Sequence, residues 1–146
     1  MLERFYLFRD AAADDLLAVG DLVTRERYAP LQLIFREGDD AHAMYFIELG
    51  TVSILKSGST ELTMVGSGRE FGELAFFDRG ARAASARARE ATNVLSIPFV
   101  GLSQLLEERP LLALVFYYNA SIVLSKRLRR TFDDLSFAQE SSKRHF

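Results

Sequence analysis

The chain has 146 residues, 49% of them hydrophobic and 26% charged, which fits one globular domain able to bury a core. Its net charge of −2 gives no global basic field to draw nucleic acid, and its lack of cysteine excludes disulfides and thiolate metal sites. No apolar run is read as long enough to cross a membrane. The start, Met1-Leu2-Glu3-Arg4, is unlike a signal peptide, so a cytoplasmic location is expected.

Residues 1–9 form an apolar arm carrying Leu2, Phe5, Tyr6, Leu7 and Phe8. Asp10 is placed to cap a helix over residues 11–28, in which Leu16, Leu17, Val19, Leu22 and Val23 recur near a 3.6-residue period. Gly20 weakens that helix and Pro30 closes it. From Leu31 the pattern turns to short strands over 31–35, 44–49, 51–56 and 61–65. Turns at 37–40, 57–59 and 66–68 separate them, each carrying glycine. Strands over 82–89 and 93–97 follow. Short strands at this spacing indicate an antiparallel sandwich or barrel.

After Pro98 the period is helical again. A helix is predicted over 99–108, a break at Pro110, and one long helix over 111–135. Leu111, Val115, Tyr118 and Ile122 make one apolar row, expected to pack on the barrel. A second row alternates by three and four through positions 114, 117, 121, 124, 128, 131 and 135, as a coiled-coil seam does, and predicts a homodimer. Ser121 and Thr131 interrupt it. Lys126, Arg127, Arg129 and Arg130 read as a solvated basic face, with Asp133 and Asp134 following. Residues 136–146 read as a polar tail that frays.

The segment with the most chemistry is 71–88. An apolar turn carries one acid, Glu73. A glycine-containing break follows, then Arg82 stands among small residues. The guanidinium can present paired donors to a phosphate, and the carboxylate can accept from a sugar hydroxyl. Free N–H groups of a turn over 72–77 would add to anion binding. The pair reads as a sugar-phosphate site.

Phe71-Gly72-Glu73-Leu74-Ala75 and Arg82-Ala83-Ala84-Ser85 resemble, without a gap, the phosphate-binding cassette of the cyclic nucleotide-binding domain family. Catabolite-activator-like and protein kinase A regulatory-subunit-like sensors belong to that family. Phe35-Arg36-Glu37-Gly38-Asp39 is similar to its first turn, and residues 45–52 to its central hairpin. The resemblance implies a mainly β fold with flanking helices: an N-terminal helix, an eight-stranded jelly roll (double-stranded β-helix) over about 30–98, and a long C-terminal lid and dimer helix. It implies that Glu73 holds the ribose 2′-hydroxyl and Arg82 the cyclic phosphate. Gly72, Leu74, Ala75, Ala83, Ala84 and Ser85 would frame them. Lys126-Arg127-Leu128-Arg129-Arg130-Thr131 is similar to the Arg-Arg-Leu-x-x-Thr of catabolite-activator-type regulators and makes Thr131 a base contact, although Phe132 departs from the pattern. Members selective for cGMP often carry Thr after the cassette arginine, where this chain has Ala83, so cAMP is the expected ligand.

The implied protein is a non-enzymatic sensor with no cofactor, one domain over 1–146, acting through lid closure, dimer geometry or a separate effector protein. Residues 136–146 are too few for a helix-turn-helix, so a stand-alone sensor or one cut from a longer regulator is expected. Direct contact with nucleic acid or membrane is not expected. Other readings stay open: a ligand-free interaction module on the same fold, or a site for a cyclic dinucleotide. A cupin-type metal enzyme lacks histidines beyond His42 and His145, and neither sits near a hydrolase nucleophile motif.

Overall fold

The computed structural model describes residues 1–144. Two 3-10 turns, Leu2–Arg4 and Tyr6–Phe8, precede helix α1 (Ala13–Gly20). Eight strands follow: β1 (Thr24–Tyr28), β2 (Leu33–Phe35), β3 (Ala43–Leu49), β4 (Thr51–Lys56), β5 (Thr60–Gly66), β6 (Glu70–Phe71), β7 (Ser85–Ala88) and β8 (Thr92–Pro98). Helix α2 (Leu74–Asp78) lies between β6 and β7, and helices α3 (Phe99–Glu108) and α4 (Pro110–Arg144) close the chain. The strands form two antiparallel four-stranded sheets, in the orders β1-β8-β3-β6 and β2-β7-β4-β5. This is the jelly roll with flanking helices that the sequence predicts.

Residue alternation explains how the sheets stack. On β3, Ile47 enters a core with Val52, Val65, Phe71, Ala86 and Val94, drawn from both sheets and therefore lying between them. Its neighbours Met44 and Phe46 face the other way, into a second core with Leu95, Ile97, Leu102 and Phe116. The first sheet is thus covered on both sides, which is why β3 reads as a nearly unbroken apolar run and β8 is buried at every residue but Asn93 and Pro98. The N-terminal arm supplies Leu2, Phe5, Leu7 and Phe8 to the second core, with Phe5 packed edge-on to Phe46 at 5.0 Å. Each such side chain contributes about 1.5–3 kcal/mol by burial.

The elements differ from the sequence reading in five places. Residues 24–28 form β1, paired with β8 from Thr24↔Ser96 to Tyr28↔Thr92, and the expected helix ends at Gly20. Asp10 caps nothing: its φ is 67°, and Ala12 stands at the N-cap. Leu31 is a turn residue with φ 68° and is exposed, so its strand begins at Leu33. Strand β6 is two residues long and gave no run to read.

The fifth concerns α4. It runs to Arg144, beyond the expected end at 135, and Pro110 is its first residue, where a missing N–H costs nothing. The expected frayed end at 145–146 lies outside the described residues. The row Leu111, Val115, Tyr118 and Ile122 does not cover the roll, since Leu111 and Tyr118 are exposed. Leu112, Phe116 and Ala120 do, one turn apart. Asn119 on the same face donates its side-chain amide to the carbonyls of Leu7 (3.2 Å) and Arg9 (2.8 Å), tying the N-terminal arm to α4. Contrary to the sequence reading, α4 over Pro110–Ser142 is long and apolar enough to cross a membrane by length and composition. Its buried face here packs on the roll.

Candidate functional site

The site is built where β6 turns into α2. Gly72 has φ +76°, a conformation L side chains rarely adopt, and this turn brings Glu73 to the head of α2. Arg82 enters from the loop before β7. Its backbone is pinned to the turn after β2: Arg82 N–H donates to Asp39 O (2.9 Å), and Gly38 N–H donates to Arg82 O (2.8 Å). The Ser85 hydroxyl accepts from Glu37 N–H (2.8 Å), and Lys56 Nζ donates to Ala83 O (2.8 Å). The loop is therefore fixed from several sides, although it carries little bulk itself.

Arg82 is 5% exposed and Glu73 2% exposed. The Arg82 guanidinium lies over the Phe35 ring at 3.9 Å, and Tyr45 and Phe71 stack beside that ring. Nη1 donates to Gly72 O (2.8 Å) and Nη2 to Ala43 O (2.6 Å). Its buried Nε has no partner among the described residues. Burial pushes the group below its ordinary arginine range, opposed by Tyr45 and Asp39 nearby. An arginine still keeps its charge. The cluster is thus a buried cation with one unmet donor.

A cavity of about 370 Å³ opens here, within the size of small-molecule sites. All nine sequence-predicted residues line it: Gly72, Glu73, Leu74, Ala75, Arg82, Ala83, Ala84, Ser85 and Thr131. Ile54, Leu62, Met64 and Val65 supply an apolar wall, and α4 closes one side with Arg127, Arg130, Thr131 and Asp134. Thr131 is exposed, and its hydroxyl donates to Arg127 O (3.0 Å). His42 takes no part as a side chain: its carbonyl accepts from Phe99 N–H (2.8 Å). His145 lies outside the described residues.

Two residues of the site were missed in the sequence. Arg127, read as part of a solvated basic face, reaches into the cavity. Its Nη1 donates to Glu73 Oε1, and its Nη2 donates to Glu70 Oε1 (2.7 Å). Burial lowers the Arg127 guanidinium from its ordinary value, and Glu70 opposes the shift. Glu70 is 2% exposed. The signal available was weak: one acid three residues before Glu73, and one arginine of a cluster on a helix facing it.

Comparison with known proteins bears on the arrangement. The model of the cyclic nucleotide-binding domain family matches residues 25–109. Over 110 residues the chain is 34% identical to the potassium/sodium hyperpolarization-activated cyclic nucleotide-gated channel 2 of Mus musculus. That match takes in 75% of this chain and 13% of the channel, so the chain spans a small part of the curated relatives it matches. The catabolite activator protein of Thermus thermophilus superposes with a TM-score of 0.74 at 31% identity, over 92% of this chain and 63% of that one. The regulatory domain of Toxoplasma gondii PKA, solved with cAMP, shares the fold with a TM-score of 0.71 at 22% identity, over 88% of this chain and 47% of that one.

Proposed function

Because the chain belongs to the cyclic nucleotide-binding domain family, a regulatory and generally non-catalytic one, we propose that it is a sensor whose cavity takes cAMP and reports it through α4. One observation carries this reading. A buried carboxylate, Glu73, and a buried guanidinium with a free Nε, Arg82, face a single cavity of nucleotide size. Arg82 offers its free N–H, and more if it leaves Gly72 O, to the cyclic phosphate. Glu73 accepts from the ribose 2′-hydroxyl. Leu62, Met64 and Val65 offer apolar surface to the base, and Thr131 gains a base partner by giving up its bond to Arg127 O.

Arg127 supplies the coupling. Its guanidinium pairs with Glu73, so a ribose hydroxyl that takes Glu73 must displace it, and that exchange moves free energy between the cavity and α4. The response is a population shift between arrangements of the lid helix. Leu114, Leu128 and Leu135 are each more than half exposed along α4, which supports a second copy of this chain as the partner of that helix. Output then passes through dimer geometry or to an effector protein.

Ala83 decides the nucleotide. A methyl group gives guanine no hydrogen-bond partner, whereas Ala83→Thr would. Calorimetric titration is expected to show saturable binding with cAMP tighter than cGMP, and the preference narrowed in Ala83→Thr. Absence of binding to either nucleotide contradicts the reading.

A further inference from the structure

Glu70 and Glu73 stand three residues apart, one on β6 and one at the head of α2. The φ of +76° at Gly72 turns the chain so that both carboxylates meet the same guanidinium. Both are 2% exposed. Arg127 meets each with a different nitrogen, Nη1 to Glu73 and Nη2 to Glu70. The two contacts can therefore be broken separately. Two buried carboxylates share one arginine, so neither is neutralised alone. A neutral hydroxyl can satisfy Glu73 by donating a hydrogen bond. A guanidinium pulled from one carboxylate in a half-buried place needs another, because an unpaired buried charge is strongly unfavourable.

We propose that Glu70 is the positioning residue that keeps the lid docked. When a ribose hydroxyl takes Glu73, Arg127 stays on Glu70, and the closed arrangement of α4 is favoured over the occupied cavity. This rests on the nucleotide-sensor reading for its ligand, but the docking contact itself needs no ligand. It also explains why burying two acids beside a single cation is useful: Glu73 serves the ligand and Glu70 serves the lid. Without Glu70, Arg127 either competes with the ribose for Glu73 or loses its anionic partner. Both outcomes weaken binding.

The test is a double-mutant cycle on the full chain with cAMP, combined with amide hydrogen exchange of α4 before nucleotide is added. Gln has the shape of Glu without its charge, so Glu70→Gln removes the pairing and spares the packing. Its cAMP affinity is expected to fall about tenfold or more, the scale of one charge-assisted hydrogen bond. In an Arg127→Ala background the same substitution is expected to do nothing, and Glu70→Asp, which keeps the charge, is expected to regain part of the loss. Exchange over residues 121–135 is expected to rise in ligand-free Glu70→Gln. Wild-type affinity in Glu70→Gln, or an equal loss in the Arg127→Ala background, overturns the proposal. If the wild-type chain binds no cAMP, the sensor reading fails by itself, and unchanged exchange in Glu70→Gln would then overturn the docking role as well.

Discussion

Substituting Gly72 by Ala tests the site where its backbone is tightest. The φ of +76° is strained for any L residue, at roughly 1–2 kcal/mol. A Cβ there would also lie 2.8 Å from Arg82 Nη1, 3.2 Å from Phe35 Cε2 and 3.4 Å from Tyr45 Cδ2. An arginine tip can usually move aside. Here it is held by Gly72 O and Ala43 O and lies on the Phe35 ring, so moving it breaks at least one charged hydrogen bond, worth about 1.5–3 kcal/mol. Together the two effects destabilise the fold by roughly 2.5–5 kcal/mol. At about 2–4 °C per kcal/mol for a domain of this size, the melting temperature should fall by roughly 5–20 °C. Thermal unfolding followed by circular dichroism reads this directly. A midpoint within about a degree of wild type would refute the reasoning, since it would mean that Arg82 is not held where its contacts place it.

Two further outcomes follow from separate parts of the molecule. Leu114 is 67% exposed on α4 and does not line the cavity, so Leu114→Glu should leave the fold intact but disrupt self-association. Sedimentation should give twice the 16.5 kDa chain mass for wild type and the single mass for the variant, and a monomeric wild type would contradict the dimer. At the turn after β2, Ser57 N–H (3.0 Å) and then Lys56 Nζ (3.2 Å) hold the Glu37 carboxyl below its ordinary 4.5. A carboxylate lowered on folding adds stability above its unfolded value and loses it as pH falls through the folded one. Wild type should therefore melt above Glu37→Gln at pH 7, with the gap closing as pH falls below the ordinary carboxylate range. A gap that does not change with pH would show that Glu37 is not a stabilising charge.

What could be read in the sequence was local. The cassette lies within a fifteen-residue stretch, and its residues fold back on one cavity because Gly72 and the loop before β7 are specified by neighbouring positions. Strands β3 and β4 announce themselves by apolar residues between glycines, and β8 by Val94, Leu95 and Ile97 ahead of Pro98. Strand β1 does not: Thr24-Arg25-Glu26-Arg27-Tyr28 is mostly charged, because its outer face meets solvent and only Glu26 and Tyr28 are half-buried, joined by a 2.7 Å hydrogen bond from the tyrosine hydroxyl. A helical period running up to Val23 then carries the reading across the boundary.

Helix α4 hid its packing face for the opposite reason. Apolar residues surround its first half, so periodicity alone could not choose between Leu111–Val115 and Leu112–Phe116; the N-terminal arm and the roll decide it. The pairing of Arg127 with Glu70 and Glu73 spans more than fifty residues, and a cluster of four basic residues gives no sign of which one turns inward. Long-range electrostatic pairs of this kind depend on the finished fold.

The central claim is that Arg82 clamps the phosphate of a cyclic nucleotide in this cavity. The measurement that tests it most directly is the equilibrium affinity of Arg82→Ala for cAMP beside that of wild type. Loss of one partner of a buried charge pair weakens binding by about 2–5 kcal/mol, so the dissociation constant should rise by roughly thirtyfold to several thousandfold. Equal affinities in the two proteins would contradict the account.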